Sequence, residues 1–320
     1  MSLRTPICDL FGIEIPVFLA GMGGVAMAEV CAAVSEVGGF GVLGAAGLEP
    51  ELLRAEMRAV RERTDRPFGV DLLAALPDEV QAAVPIIETE GAAALITGLG
   101  VAEPVIGRCH DAGLKVMAIG GRVRHAIAAE AAGCDAVVAQ GTEAGGHTGL
   151  VAGMAVIPQT VDAVEIPVLA AGSIVDGRGF AAALCLGAQG IWVGTRFIAS
   201  QEAQAASHFK DRIITADSTD TTITRCYSGK PMRVIRNSYV DDWERRSDEL
   251  LPFPEQLLHS MRENVMMFNE EDRMRPDQTA MPAGQGVGSI DGILPVAEIV
   301  ENFVSEAKET LRTLHARVGS

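Results

Sequence analysis

A chain of 320 residues with 48% hydrophobic but only 4% aromatic residues can fill a large core with small aliphatic side chains, as buried parallel strands and their covering helices require. Its formal charge of -16 and pI near 4.8 leave no positive field for a phosphate backbone or an anionic membrane surface, which argues against nucleic-acid and membrane partners. The six cysteines, Cys8, Cys31, Cys109, Cys134, Cys185 and Cys226, stand singly without metal-ligand spacing, and no apolar run reaches about twenty residues, so a cytoplasmic protein without a metal site is expected.

Ile15 to Ala20 is the first strand candidate, and it ends in Gly21-Met22-Gly23-Gly24. A helix from Met27 to Val37 follows, stops at Gly38-Gly39, and gives way to a strand from Phe40 to Leu43, as a glycine cap before an apolar run predicts. The same phrase of helix, glycine and strand recurs at Glu90-Gly91, Ala112-Gly113, Ala132-Gly133 and Leu186-Gly187. Two more strands start after proline, Phe68 to Leu73 and Val168 to Ala171. About eight evenly spaced βα units are expected to close into a (β/α)8 TIM-type barrel, with an open doubly wound sheet as the alternative. The strand ends then share one face, where barrel active sites lie, and that face carries mostly glycine.

The rhythm breaks after Phe197. Residues 201–292 are polar, punctuated by Pro252, Pro254, Pro276 and Pro282, yet supplied with Trp243, Phe253, Leu257, Leu258 and Phe268, so they read as a lid of helices and loops capping a barrel of residues 1–200. Residues 293–320 should close the chain with an amphipathic helix that lays Val296, Ile299, Val300, Phe303 and Ala307 on the barrel wall.

Two constellations carry chemistry. The apolar run Val137-Val138-Ala139-Gln140 opens into Gly141-Thr142-Glu143-Ala144-Gly145-Gly146-His147-Thr148-Gly149, a loop whose backbone can come close to a ligand and whose imidazole can exchange a proton near neutral pH. Ala171-Gly172-Ser173 and Gly194-Thr195 end the last two strands and each opens a helix, so their unpaired amides suit a phosphate. Glu143 and His147 have no helical relation in a glycine loop and so do not suggest a metal site. Gly284-Gln285-Gly286 reads equally as a turn or as a glycine surface against a flat ligand. A phosphate-binding barrel without catalysis would require His147 to be idle.

Together, Ala20-Gly21-Met22-Gly23-Gly24 with the 32–44 segment, Pro67-Phe68-Gly69-Val70, the loop from Gly141 to Gly149, Pro167 to Ile174 with Asp176-Gly177-Arg178, and Gly194-Thr195-Arg196-Phe197 resemble the nitronate monooxygenase family, formerly the 2-nitropropane dioxygenases. Flavin-dependent enoyl-ACP reductases share these motifs. The likeness covers about residues 6–200, weakens through the lid and returns at Gly284-Gln285-Gly286. It implies an FMN whose phosphate rests on Gly172, Ser173, Gly194 and Thr195 and whose ring lies over Gly21, Met22 and Gly23, with Gln140 and Gly145 nearby. Ala20, Asp71, Gly146, Ala171, Gln285 and Gly286 complete the implied cofactor-binding set.

His147 matches the family histidine beside the flavin, implied to stabilise or deprotonate an anionic nitronate while the flavin passes an electron to dioxygen. The alternative that the resemblance implies is NAD(P)H-dependent reduction of an enoyl thioester or quinone. Either substrate is a small molecule, and a homodimer is left open. Two positions depart from the family pattern. Ser173 replaces a glycine and is expected to add a hydroxyl donor to the phosphate, and Asp71 replaces an asparagine. An ionised Asp71 would repel a nitronate and disfavour an anionic reduced flavin, whereas a protonated Asp71, or one turned towards Arg122, would do neither.

Overall fold

The computed structural model describes residues 2–269, 273 and 275–318, so residues 270–272 and 274 of the expected lid lie outside it. Its strands are β1 (Val17–Leu19), β2 (Gly41–Gly44), β3 (Phe68–Leu73), β4 (Ala94–Gly98), β5 (Lys115–Gly120), β6 (Ala136–Gln140), β7 (Gly146–His147), β8 (Val168–Ala171), β9 (Gly190–Val193), β10 (Thr221–Thr224) and β11 (Met232–Ile235). Eight of them form one parallel sheet in the order β1-β9-β8-β6-β5-β4-β3-β2. A parallel bridge between Phe18 and Phe40 joins the first strand to the last, with Leu19 N donating to Phe40 O at 3.0 Å and Phe40 N donating to Val17 O at 2.9 Å. The sheet therefore closes, and the open-sheet alternative falls.

The expected strands are found because each is an apolar run buried on both faces, one against the barrel interior and one against the helices. Helix ends follow the glycine punctuation: Gly133, at φ 98°, caps the helix Val123–Ala132 in the left-handed region and its N–H returns to Ala129 O and Glu130 O. Inside the barrel, Phe18, Phe40, Ile96, Met117, Val138 and Leu169 pack together, and the short helix Pro6–Phe11 seals the N-terminal end with Ile7, Cys8 and Phe11. The Phe11 ring meets Phe18 edge-on at 5.3 Å, a favoured aromatic geometry.

The chain leaves the barrel at Ser200 and returns at Leu294, where the two residues form a parallel bridge and Gln201 N donates to Leu294 O at 3.0 Å. Between them the lid differs from the expected helices and loops. It contains the antiparallel pair β10–β11, and β11 also pairs with β7, so Met232 lies opposite His147 and Arg233 opposite Gly146. Four-residue strands in a charged segment give too short an alternation to read, although the β-branched run Thr221-Thr222-Ile223-Thr224 was a cue. The lid has its own apolar core around Tyr227, Tyr239, Val240 and Trp243, with the two tyrosine rings stacked at 5.0 Å. The last helix, Val296–Val318, buries Val296, Ile299, Val300, Phe303 and Ala307, the face expected from its periodicity. It docks where Gly177 has no side chain, with Glu306 Oε2 accepting from Gly177 N at 2.8 Å. Among the described residues no helix is long and apolar enough to cross a membrane.

Candidate active site

The loops at the C-terminal ends of the strands form a connected ring around the barrel mouth. Ala20 N donates to Val193 O at 2.8 Å, which places Gly21 to Gly24 across the first and last strands of the chain's barrel. A side chain at Gly21 would collide with Asp71, its Cβ coming within 2.6 Å of the Asp71 Cγ. A side chain at Gly44 would lie no more than 2.5 Å from the Met22 N, C and O, and Met22 reaches over to within 3.4 Å of the position of a Gly194 Cβ. Glycine at these places is what lets Ala20, Gly21, Met22 and Gly23 lie flat against β2, β3 and the end of β9.

On the far side of the ring the backbone of the β6–β7 loop, the turn after β8 and residues 283–286 are stitched together. Gln285 N donates to Glu143 O at 2.9 Å, Gly284 N to Thr195 Oγ1 at 3.0 Å, and Gly286 N to Ser173 Oγ at 3.0 Å. Ser173 Oγ in turn donates to Glu143 O at 2.9 Å. A Cβ on Gly145 would meet Ala283 and Gly284 backbone at 2.7 Å, so Gly145 is explained by this close approach. One expectation changes here. The Ser173 hydroxyl spends its one hydrogen on Glu143 and does not point a donor at a phosphate, and the amides of Gln285 and Gly286 are taken up by the protein.

Backbone donors remain. Among the described residues, the N–H groups of Gly172, Ser173, Gly194 and Thr195 donate to no acceptor of the protein. Gly172 (φ 120°) and Ser173 (φ 51°) both lie in the left-handed region, a strained turn for the serine, and the Thr195–Ile198 helix starts at once after Gly194. Unpaired amides from two neighbouring turns are the donor set that an anionic phosphate needs, so the residues fit such a group.

His147 is held from two sides. Its carbonyl accepts from Gln140 Nε2 at 2.6 Å, and its Nε2 lies 2.8 Å from the Oγ of Ser228, a fully buried hydroxyl on the lid that Lys230 N also contacts at 3.3 Å. Burial, helped by the Lys230 ammonium, pushes the imidazole down to about 4, so it is neutral at physiological pH. The linkage sign follows: between about 6.5 and about 4 the unfolded chain takes up a proton that the folded chain refuses, so this contribution to stability is fully present above the unfolded value and is lost as pH falls through that window. A neutral imidazole offers one acceptor and one donor, and with Nε2 engaged by Ser228 the Nδ1 is left for a ligand.

Glu143 turns away from this chemistry. Both carboxylate oxygens accept from Gly153 N, at 3.0 and 3.1 Å, capping the helix Gly153–Val161. The buried Arg233 donates to Thr142 O at 3.1 and 3.2 Å and to Thr221 Oγ1 at 3.1 Å, fixing the loop to the lid. Ser228, Lys230 and Arg233 escaped the sequence reading because they lie some eighty residues from the loop that they hold, and no local spacing connects them. For Asp71 the structure favours one of the alternatives left open by the sequence. Its Oδ1 is sealed from solvent and has no hydrogen-bond partner, no ion pair joins it to Arg122 among the described residues, and burial pushes its carboxyl well above the usual carboxylate range.

The family model for nitronate monooxygenase matches residues 4–85 and 80–306. The chain belongs to the nitronate monooxygenase family. It is also 33% identical, over 99% of its length and 100% of the relative's, to an octahydroindene carboxyl-CoA dehydrogenase of Mycobacterium tuberculosis. Among solved structures, FabK from Thermotoga maritima superposes with a TM-score of 0.90 at 34% identity over 98% of this chain and 99% of that one. The nitroalkane oxidase of Streptomyces ansochromogenes does so with a TM-score of 0.85 at 28% identity over 96% and 99%. This nitronate monooxygenase family member is an oxidoreductase on the same closed barrel.

Ser228 gives the histidine its own test. Ser228→Ala should leave a buried Nε2 unpaired at a cost of about 1–3 kcal/mol, seen as a lower Tm. It should also change the imidazole nitrogen shifts in ¹⁵N NMR. Unchanged shifts would mean that Ser228 does not set the tautomer.

Proposed function

We propose that this protein is an FMN-dependent oxidoreductase that oxidises alkyl nitronates with dioxygen. The observation that carries the reading is the neutral, half-buried His147 held at the barrel mouth in the same ring of loops as the unpaired amides of Gly172, Ser173, Gly194 and Thr195. Those four amides would hold the phosphate, and Ala20, Gly21, Met22 and Gly23 would floor the ring, with Asp71, Ala171, Gly145 and Gly146 around it. Bound there, FMN would supply one-electron chemistry with dioxygen.

The rest falls to the chain. The amides of the two turns neutralise the phosphate without a basic side chain, which an acidic protein of this kind can offer only locally. His147 receives the nitro group or the α-carbon through Nδ1, as an acceptor if it removes a proton and as a donor if it holds the anion. Ser228, bonded to Nε2, keeps the ring from turning, and Gln140, bonded to the His147 carbonyl, fixes the main chain that carries it. The strand β11 pairs with β7 and so holds the main chain at His147 in place.

A second reading is favoured by one feature of the surface. Leu150 and Met154, 71% and 72% exposed, stand just past the His147 loop and would suit an apolar acyl chain, as an enoyl-thioester or quinone reductase with NAD(P)H requires. The protein should purify yellow and release FMN on heating. Mixed without oxygen in separate cuvettes with NADH, NADPH and propyl-2-nitronate, it should be bleached by the nitronate and not by the nicotinamides. Bleaching by a nicotinamide alone selects the reductase, and a colourless protein that takes up no FMN overturns both.

A further inference from the structure

We propose that Asp71 stands in the barrel mouth as a neutral carboxylic acid and gives its hydrogen in a hydrogen bond to the negative charge that gathers there. The nature of that charge rests on the flavin oxidoreductase reading above, but the protonation of Asp71 does not.

Asp71 is the residue at which β3 reaches the mouth, in register with Gly44 on β2 and Ile96 on β4. Its main chain is engaged, Ala45 N donating to Asp71 O at 2.9 Å. Its side chain lies against the bare Cα of Gly21, where any larger residue would displace it. The elements that pack on it are Ala20 to Gly24, β2 and β4, whose sequences AGMGG, GVLG and ALITG contain no charged or titratable side chain. No cation therefore offsets an ionised carboxylate, and the Oδ1, with less than 1 Å² of exposed surface, has no donor among the described residues.

An isolated carboxylate so placed costs far more than its protonated form, and the group neutralises instead. The direction of its titration agrees, since burial alone raises it. Oδ1 is sealed while the residue as a whole is half-buried, so the hydroxyl has the open side of the carboxyl to occupy; no acceptor for it occurs among the described residues, and a ligand in the mouth can supply one. His147, neutral at the same pH, does not supply a positive charge there. Beside Asp71 an anion thus meets a neutral donor and no cation, while the Lys230 ammonium acts from the His147 side, and such donors are worth most where water is excluded. A carboxylic acid kept neutral by an apolar surrounding is a strong donor of this type.

Two variants separate this from the ionised alternative. Asp71→Asn keeps the shape and a donor, and Asp71→Leu keeps the volume and removes the donor. Infrared difference spectra of the purified wild type against Asp71→Asn, at neutral pH in H2O and 2H2O, should show a protonated-carboxyl C=O band that moves on deuteration and is missing in the variant. A difference confined to carboxylate bands overturns the proposal. Anaerobic binding of propyl-2-nitronate should change by less than about twofold in Asp71→Asn and weaken by about fivefold or more in Asp71→Leu, the loss of one neutral hydrogen bond. Were Asp71 ionised, Asp71→Asn would instead tighten the anion by about tenfold. The infrared measurement needs neither FMN nor turnover, so a failed flavin reading leaves it decisive.

Discussion

His147→Ala should keep the proposed FMN and lose turnover by about 10² to 10⁴, the range for removing a general acid or base. Cofactor retention follows from the donor set, since the free amides belong to Gly172, Ser173, Gly194 and Thr195 and none of them depends on the imidazole. The Gln140 bond to residue 147 also survives, because it is made to the main-chain carbonyl. Visible absorbance should therefore match the wild type, while kcat at saturating substrate falls. A variant with normal kcat would make His147 a structural residue and leave the nitronate reading without its base.

Gly44→Ala should damage the cofactor site without touching a charged or catalytic group. The new Cβ would meet the Met22 backbone at no more than 2.5 Å, and backbone cannot swing aside as a flexible side chain does. Met22 O already accepts from Val25 N at 3.0 Å and Ala26 N at 2.8 Å, and Gly44 N donates to Ala26 O at 2.8 Å, so the loop cannot yield without losing these bonds. Overpacking of this kind costs about 1–3 kcal/mol, and the displaced Gly21 to Gly23 should weaken FMN by about tenfold or more. Gly107→Ala is the matched control: nothing lies within 4 Å of its Cβ, it sits in the helix Glu103–Asp111, and it should raise Tm through helix propensity. Equal FMN affinity for Gly44→Ala and wild type would show that the loop is not the floor of the site.

The barrel was legible because its signals are local. Each strand is a short apolar run, announced by a glycine after the preceding helix or, for β3 and β8, by a proline, so a recurring local phrase gives the architecture. His147 was legible for the same reason, as the single imidazole in a glycine loop at a strand end. The bed that holds it was not. Ser228 and Arg233 reach it only because β11 pairs with β7, a contact between segments some eighty residues apart that no window of sequence contains. Ser173 and Asp71 show a second limit. The serine hydroxyl, read as a donor to the phosphate, is tied to Glu143, and the charge of Asp71, which residue type leaves open, turns on the lack of a cation within reach. Residue type gives the chemistry a side chain can do, and its neighbours decide which part of it is left over.

The backbone bridge between Ser200 and Leu294 gives the lid a geometry with an evolutionary reading. A segment whose two ends meet at one point can be lengthened, shortened or exchanged by recombination without opening the barrel, since the closing strands lie outside it. Yet the segment carries the strand on which His147 is hung, so an exchanged cassette brings a new setting for the histidine together with a new cover. A change of cover and a change in the surroundings of the imidazole are thereby inherited as a single event.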